Sequence, residues 1–318
     1  MEKRDSGIKA IGLIGCGVWG ANILRDLLGL HCQVLVVDID PQARTKALAQ
    51  GAAKALSEIK ALPKCDGYVV AVPIPDLLPT CAALLKYKKP IFSEKTLCRS
   101  AADFKLLKSK GGAGLIFAMH KWQYHPGIEA LRSVARSQRI GALTALHAVR
   151  HGWVTDFHGG DVFWTLAVHD LSIVQHILGQ IPKKIAAIQV LENENRLPVA
   201  FTALLGENPV VAISVNGRHC HKRSGVSIHG PKGCAELHHA YDNHITIHDE
   251  LGEGRVAIDT TFPLYLELQE FVGYLLQGPE PRCNLQSAWE VSRAILALRK
   301  KAGLKEISSP TFRKGASK

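Results

Sequence analysis

The hexapeptide Gly15-Cys16-Gly17-Val18-Trp19-Gly20 constrains this chain more than any other feature. It stands between an apolar run, Ile8–Ile14, and a helix-like segment, Trp19–Leu28. Glycines at this spacing meet three separate needs where a strand turns into a helix around a pyrophosphate. Gly15 permits the tight turn, Gly17 lets the backbone approach the phosphates, and Gly20 allows helix and strand to pack closely. The helix N-terminus adds unpaired N–H groups and a dipole that favours an anion. Cys16, Val18 and Trp19 share the loop and count with the glycines as cofactor-contacting positions. Asp38 closes the next apolar run at the spacing where a carboxylate bonds the ribose 2′-hydroxyl of an adenosine. The same carboxylate repels a 2′-phosphate, so the expected cofactor is NAD in preference to NADP.

The apolar pattern extends that reading into a fold. Short, nearly continuous apolar runs at Ala10–Ile14, Gln33–Val37, Gly67–Val72, Ile91–Ser93 and Gly114–Ala118 alternate with helical stretches at Pro41–Gln50, Leu77–Tyr87 and Ala101–Lys110. This is the β-α-β rhythm of a parallel sheet covered on both faces, a Rossmann domain. Asp40 with Pro41, and Ser100, read as helix starts; Gly111-Gly112 reads as a stop. Past His125 the rhythm changes. Two helices, Pro126–Arg139 and Val168–Leu178, flank a strand at Leu143–Val149. Strand-like runs follow at Lys184–Leu191, Val199–Leu205, Val210–Arg218, Gly225–His229, Ala235–His239 and His244–Asp249, and two helices, Leu264–Leu276 and Leu285–Lys301, end the chain. The expectation is an α/β domain over 1–122 and an α+β domain with a mostly antiparallel open sheet over 123–318. The last helices are expected to pack back toward the first domain.

Composition excludes some classes. No window has the run of about 18 uncharged apolar residues that a membrane helix needs. The N-terminal Met1-Glu2-Lys3-Arg4-Asp5 lacks a signal-peptide core, so a cytoplasmic protein is expected. The net charge of +11 is spread along the chain without a nucleic-acid recognition motif, and the basic tail Arg313–Lys318 reads as a solvated end. A nucleic-acid partner is therefore not expected. The eight cysteines form no Cys-x-x-Cys pair and read as free, mostly buried thiols. His219 and His221, with His244 and His248, alternate onto strand faces, but no third ligand is fixed and no metal is expected. His151, Trp153, Phe157 and His158 fall in a stretch that either lines a pocket or covers the sheet.

From Ser93-Glu94-Lys95-Thr96-Leu97 onward the chain resembles the glucose–fructose oxidoreductase / inositol dehydrogenase / MocA (Gfo/Idh/MocA) family over nearly its whole length. Ala71-Val72-Pro73 looks like that family's loop beside the nicotinamide ribose. His120-Lys121-Trp122-Gln123-Tyr124-His125-Pro126 is similar to its crossing into the second domain, and Gly160–Leu171 to its active-site helix. The resemblance implies an NAD(P)-dependent dehydrogenase acting on a CH–OH group of a sugar or sugar nucleotide, as a homodimer or homotetramer. It implies Lys95 and His169 as catalytic groups, Pro73, Glu94 and Lys95 beside the cofactor, and Tyr124, Thr165 and Asp170 near the substrate. An ammonium suits charge developing on the reacting oxygen, and an imidazole with a pKa near 6.5 suits proton removal. Three positions depart from the family. Thr165 stands for its aspartate and Leu77 for a frequent histidine. Thr96 stands for a proline, so a trans Lys95–Thr96 bond is expected. The alternative reading of these departures is a dinucleotide-binding regulatory or non-catalytic protein on the same fold.

Overall fold

The computed structural model describes residues 7, 9–157 and 160–305. Met1–Asp5, Ile8, His158 and the tail Arg313–Lys318, singled out above, lie outside the described residues. Contacts divide the chain into two units. Among the described residues the first runs to His120 and includes Leu264–Trp289; the second comprises Lys121–Pro263 and residues 290–305.

The first unit is a parallel sheet with helices on both faces. Its elements are β1 (Ala10–Ile14), α1 (Val18–Gly29), β2 (Gln33–Val37), α2 (Pro41–Gln50), β3 (Lys54–Leu56), β4 (Gly67–Val70), α3 (Ile74–Leu84), β5 (Ile91–Ser93), α4 (Ala101–Ser109) and β6 (Ile116–Ala118). The strand order β3-β2-β1-β4-β5-β6 is parallel throughout. The caps form as their residue types dictate. The Asp40 carboxylate accepts from Gln42 N–H at 2.9 Å ahead of Pro41, and Ser100 and Asp103 close a reciprocal capping box.

The second unit holds α5 (Pro126–Ser137), β7 (Ala145–Trp153), α6 (Val168–Leu178) and β8 (Ile185–Glu192). It continues through β9 (Pro198–Leu205), β10 (Val210–Asn216), β11 (Arg218–Gly230), β12 (Gly233–Leu237), β13 (His244–Asp249) and β14 (Gly252–Ala257). These strands make an eight-stranded sheet, β14-β13-β12-β11-β7-β10-β9-β8, antiparallel except between β7 and β10. The chain ends in α7 (Pro263–Leu275) and α8 (Leu285–Lys301), and the unit boundary falls inside α8.

Strand alternation sorts the first unit's core into two layers. Leu13, Val36, Phe92 and Phe117 face α1 and α7, while Ile14, Val37, Val70 and Ile91 face α3, α4 and Leu285. Phe271 of α7 stacks on Phe92 at 5.0 Å, and Tyr274 meets Phe117 edge-on at 5.3 Å. In the second unit one sheet face is buried under α5, α6 and Val291, Ile295 and Leu298 of α8. Asp161 anchors this layer: it accepts from Phe163 N–H at 3.0 Å and pairs with the buried Arg299 guanidinium.

Several boundaries differ from expectation. The edge strands β3 and β14 have no apolar pattern of their own; β3 forms by pairing with Leu35–Val37, and β14 by pairing with β13. Helix α3 begins at Ile74 rather than Leu77, because Pro75 in the first turn needs no N–H partner. The stretch read as irregular after Val149 continues β7 to Trp153, and the run Val210–Arg218 divides at Gly217.

Phe271→Ala removes a fully buried ring that closes α7 onto the parallel sheet. It should lower unfolding free energy by about 3–5 kcal/mol. Urea titration checks this, and a loss below 1 kcal/mol would contradict the packing described.

Candidate cofactor and active site

The glycine loop is built by close backbone approach. Gly15 has φ +87°, and its N–H donates to the carbonyl of Val37 at 2.8 Å. A Cβ on Gly15 would lie 2.5 Å from the Ala71 carbonyl oxygen, and one on Gly20 would lie 2.3 Å from the Gly15 carbonyl oxygen. Only glycine fits at either place. Gly17 differs: a Cβ there would meet no protein atom within 4 Å. That open space lies at the N-terminus of α1, where the loop's backbone would hold a pyrophosphate. The residues present therefore fit a dinucleotide.

Asp38 sits just past β2 with its carboxylate already oriented. One oxygen accepts from Cys16 N–H at 2.6 Å and the other from Asp40 N–H at 2.8 Å. Arg44 reinforces this turn by donating to the carbonyls of Asp38 and Ile39 at 2.8 and 3.0 Å. Burial, with Asp38 nearby, pushes the Cys16 thiol up to about 11, so it stays protonated. Val18 is exposed beside the loop. The Trp19 indole N–H donates to the Glu94 carboxylate, tying the glycine loop to the end of β5.

At that end, Glu94 and Lys95 are half-buried, and Pro73 is exposed in the loop after β4. The Lys95–Thr96 peptide is cis, which corrects the expectation of a trans bond. That expectation rested on local residue type alone, whereas Thr96, Leu97 and Cys98 are all buried in tertiary packing. Leu77 is likewise buried, in the apolar layer under α3.

Beside Lys95 lies a residue that the sequence analysis assigned no role. Met119 N–H donates to the Ser93 carbonyl at 2.8 Å, so β5 and β6 end side by side with Lys95 leaving one and His120 the other. His120 is 2% exposed, and its Nδ1 has no hydrogen-bond partner. Burial, and then the Lys95 charge, pushes its pKa down to about 4. The strand register, which the sequence leaves open, is the signal that would have found it.

In the second unit, Tyr124 is buried in a 3₁₀ turn, Lys121–Tyr124. Thr165 lies in a single π-turn, Phe163–Ala167, and its hydroxyl donates to the Phe157 carbonyl at 3.1 Å. His169 is half-buried in the first turn of α6. Asp170, next to it, is fully buried. The Arg150 Nε–H reaches both its oxygens, at 3.1 and 2.9 Å, and the Arg150 guanidinium lies 4.2 Å over the Trp122 ring. Burial pushes the Asp170 carboxyl up against the pull of Arg150. Among the described residues no three His, Cys, Asp or Glu side chains gather as metal ligands. His219 instead lies against His151, ring centroids 4.8 Å apart.

His120 generates a pH dependence with a definite sign. Its folded pKa lies below the unfolded value near 6.5, so between about pH 6.5 and 4 the unfolded chain binds a proton that the folded chain refuses. Stability therefore falls as pH falls through that window. His120's share between pH 6.5 and 5 is about 2 kcal/mol. His120→Asn should remove that share from urea midpoints measured across the window; an unchanged pH slope would contradict the burial.

No family model matches the chain. It is 26% identical over 194 residues to a 2,7-anhydro-N-acetylneuraminate hydratase of Escherichia coli K12, covering 56% of this chain and 51% of that one. It is 25% identical over 182 residues to inositol 2-dehydrogenase 2 of Saccharopolyspora erythraea, covering 54% of each. The chain thus aligns with about half the length of the curated relatives it matches. The WlbA dehydrogenase of Bordetella pertussis, solved with NADH and UDP-GlcNAcA, superposes with a TM-score of 0.80 at 16% identity, covering 94% of this chain and 96% of that one. The fold is shared with solved dehydrogenases such as this one, and over about half its length the chain is similar in sequence to an inositol 2-dehydrogenase.

Proposed function

We propose that this chain is an NAD-dependent oxidoreductase that moves a hydride between the nicotinamide and a hydroxyl or carbonyl of a sugar or sugar nucleotide. The observation that supports it most is that one edge of the parallel sheet carries the open cradle at Gly17, the Asp38 carboxylate and Lys95. Asp38, held by Cys16 N–H and Asp40 N–H, is the acceptor for the adenosine ribose and the reason to favour NAD over NADP. NAD, when bound, supplies the hydride acceptor. Lys95 donates an N–H to the reacting oxygen and stabilises the negative charge that develops there. His169 takes the hydroxyl proton, imidazole being a side chain suited to general-base work. Tyr124 and Thr165 are assigned to the substrate, and Asp170 to holding α6, through Arg150, so that His169 is fixed. The sugar class is taken from the named relatives, a 2,7-anhydro-N-acetylneuraminate hydratase, an inositol 2-dehydrogenase and a dehydrogenase solved with UDP-GlcNAcA.

Self-association as a homodimer or homotetramer belongs to the same reading. Opposite its buried face, the eight-stranded sheet presents Leu191, Leu204 and Trp153, which are 58%, 39% and 64% exposed. We assign that face to a second copy of the chain and the protein to the cytoplasm, where its buried free thiols stay reduced. Leu191→Asp with Trp153→Asp should convert a sedimenting oligomer to monomer; a wild-type chain that sediments as monomer contradicts the assignment.

The function is tested by NADH formation from NAD with a panel of nucleotide sugars, free sugars and polyols, comparing the wild-type chain with Lys95→Met. Turnover on at least one compound is expected, with a loss of about a hundredfold or more in the variant. Turnover that survives Lys95→Met would overturn the assigned role of Lys95, and no turnover on any compound would overturn the enzyme reading.

A further inference from the structure

His120 is a buried imidazole with a ring nitrogen that nothing hydrogen-bonds. Native interiors rarely leave such an atom unmatched, so its surroundings carry the explanation. Its place is set by backbone alone. Ser93 and Ala118 are partners in the β5–β6 register, Met119 N–H is bonded to the Ser93 carbonyl, and Ala118 N–H is bonded to the Cys283 carbonyl. His120 N–H then turns back onto the Ala118 carbonyl at 2.9 Å. This brings the ring to the strand edge that Glu94 and Lys95 also leave. Lys95 is the charged group that acts on it electrostatically.

We infer that His120 is a positioning residue for Lys95: its Nδ1 is the acceptor held for one N–H of the ammonium, which directs the remaining N–H groups toward the reacting oxygen. An ammonium has three donors on a flexible four-carbon stem, so it bonds a substrate in one direction only if part of it is tied down. A ring that is buried beside a cation stays neutral throughout the working range and never competes as a second cation. For Nδ1 to accept, the proton must sit on Nε2, and that tautomer is a direct consequence of the inference. The inference deepens the proposed role of Lys95 and rests on it for its catalytic part.

The experiment uses the full chain labelled with 15N-histidine, with the His120 ring assigned by its loss in His120→Asn. In the wild-type chain the His120 ring should be neutral at pH 6–8 with its proton on Nε2. Lys95→Met should shift the Nδ1 resonance and raise the ring's titration midpoint by about one unit. A ring protonated on Nδ1, or one indifferent to Lys95→Met, overturns the inference whether or not a substrate is known. With NAD and the best panel compound, His120→Leu should lower kcat on the order of tenfold to a hundredfold while leaving the KM for NAD unchanged. His120→Asn, which keeps an acceptor, should restore much of that loss. Equal losses in both variants also overturn it. A wild-type chain that binds no NAD would count against the proposed function and leave the ring measurement to decide this inference.

Discussion

The chain reverses at Gly15 against the carbonyl of Ala71, and the geometry of the whole carboxyl edge of the parallel sheet follows from that contact. The turn brings Gly15 N–H onto Val37, Cys16 N–H onto the Asp38 carboxylate, and the start of α1 over the sheet. A side chain at Gly15 or Gly20 would collide with backbone, which is the least compliant neighbour available. The carboxyl ends of three neighbouring strands, β1, β2 and β4, are thereby held around one cradle. The Trp19–Glu94 bond carries the same constraint on to β5. Glu94, just past β5, is thus tied to a turn that forms at the end of β1.

Polar groups inside each unit are handled differently according to what they do. Asp161 with Arg299, and Asp170 with Arg150, are buried pairs in which each charge has a partner and further hydrogen bonds. Removing one partner of such a pair leaves a charge without compensation, so these residues fix α6 and the π-turn before it rather than adding much net stability. His120 is handled in the opposite way, kept neutral by burial and by the neighbouring cation. Fully matched pairs define the scaffold, and the His120 imidazole, whose Nδ1 is unmatched, lies near the proposed reacting group.

Much of the first unit could be read from the sequence because its signals are local. Gly15 and Gly20 are required by backbone sterics, Asp38 follows the end of a continuous apolar run, and Ser100 and Asp40 cap helices through bonds to residues a few positions away. The features that could not be read depend on partners far along the chain. Lys54–Leu56 is a strand only because β2 is there to pair with it, and Gly252–Ala257 only because of β13. The placing of His120 within electrostatic reach of Lys95 depends on the β5–β6 register, and the pairing of buried Asp170 on Arg150 of β7. The cis bond at Lys95–Thr96 departs from what residue type alone predicts, which is trans. Thr165 was legible as a departure from the family, but not its bond to the Phe157 carbonyl.

The central claim is that the loop around Gly17 holds a dinucleotide, and calorimetric titration of NAD into the wild-type chain and Gly17→Val tests it most directly. The backbone at Gly17 has φ −67° and a Cβ there meets no protein atom within 4 Å, so the variant should keep its unfolding free energy in urea titration to within about 1 kcal/mol. The account predicts that the wild-type chain binds NAD and that the folded variant does not, because the added side chain occupies the cradle. Equal binding by both chains, or none by the wild type, would contradict it.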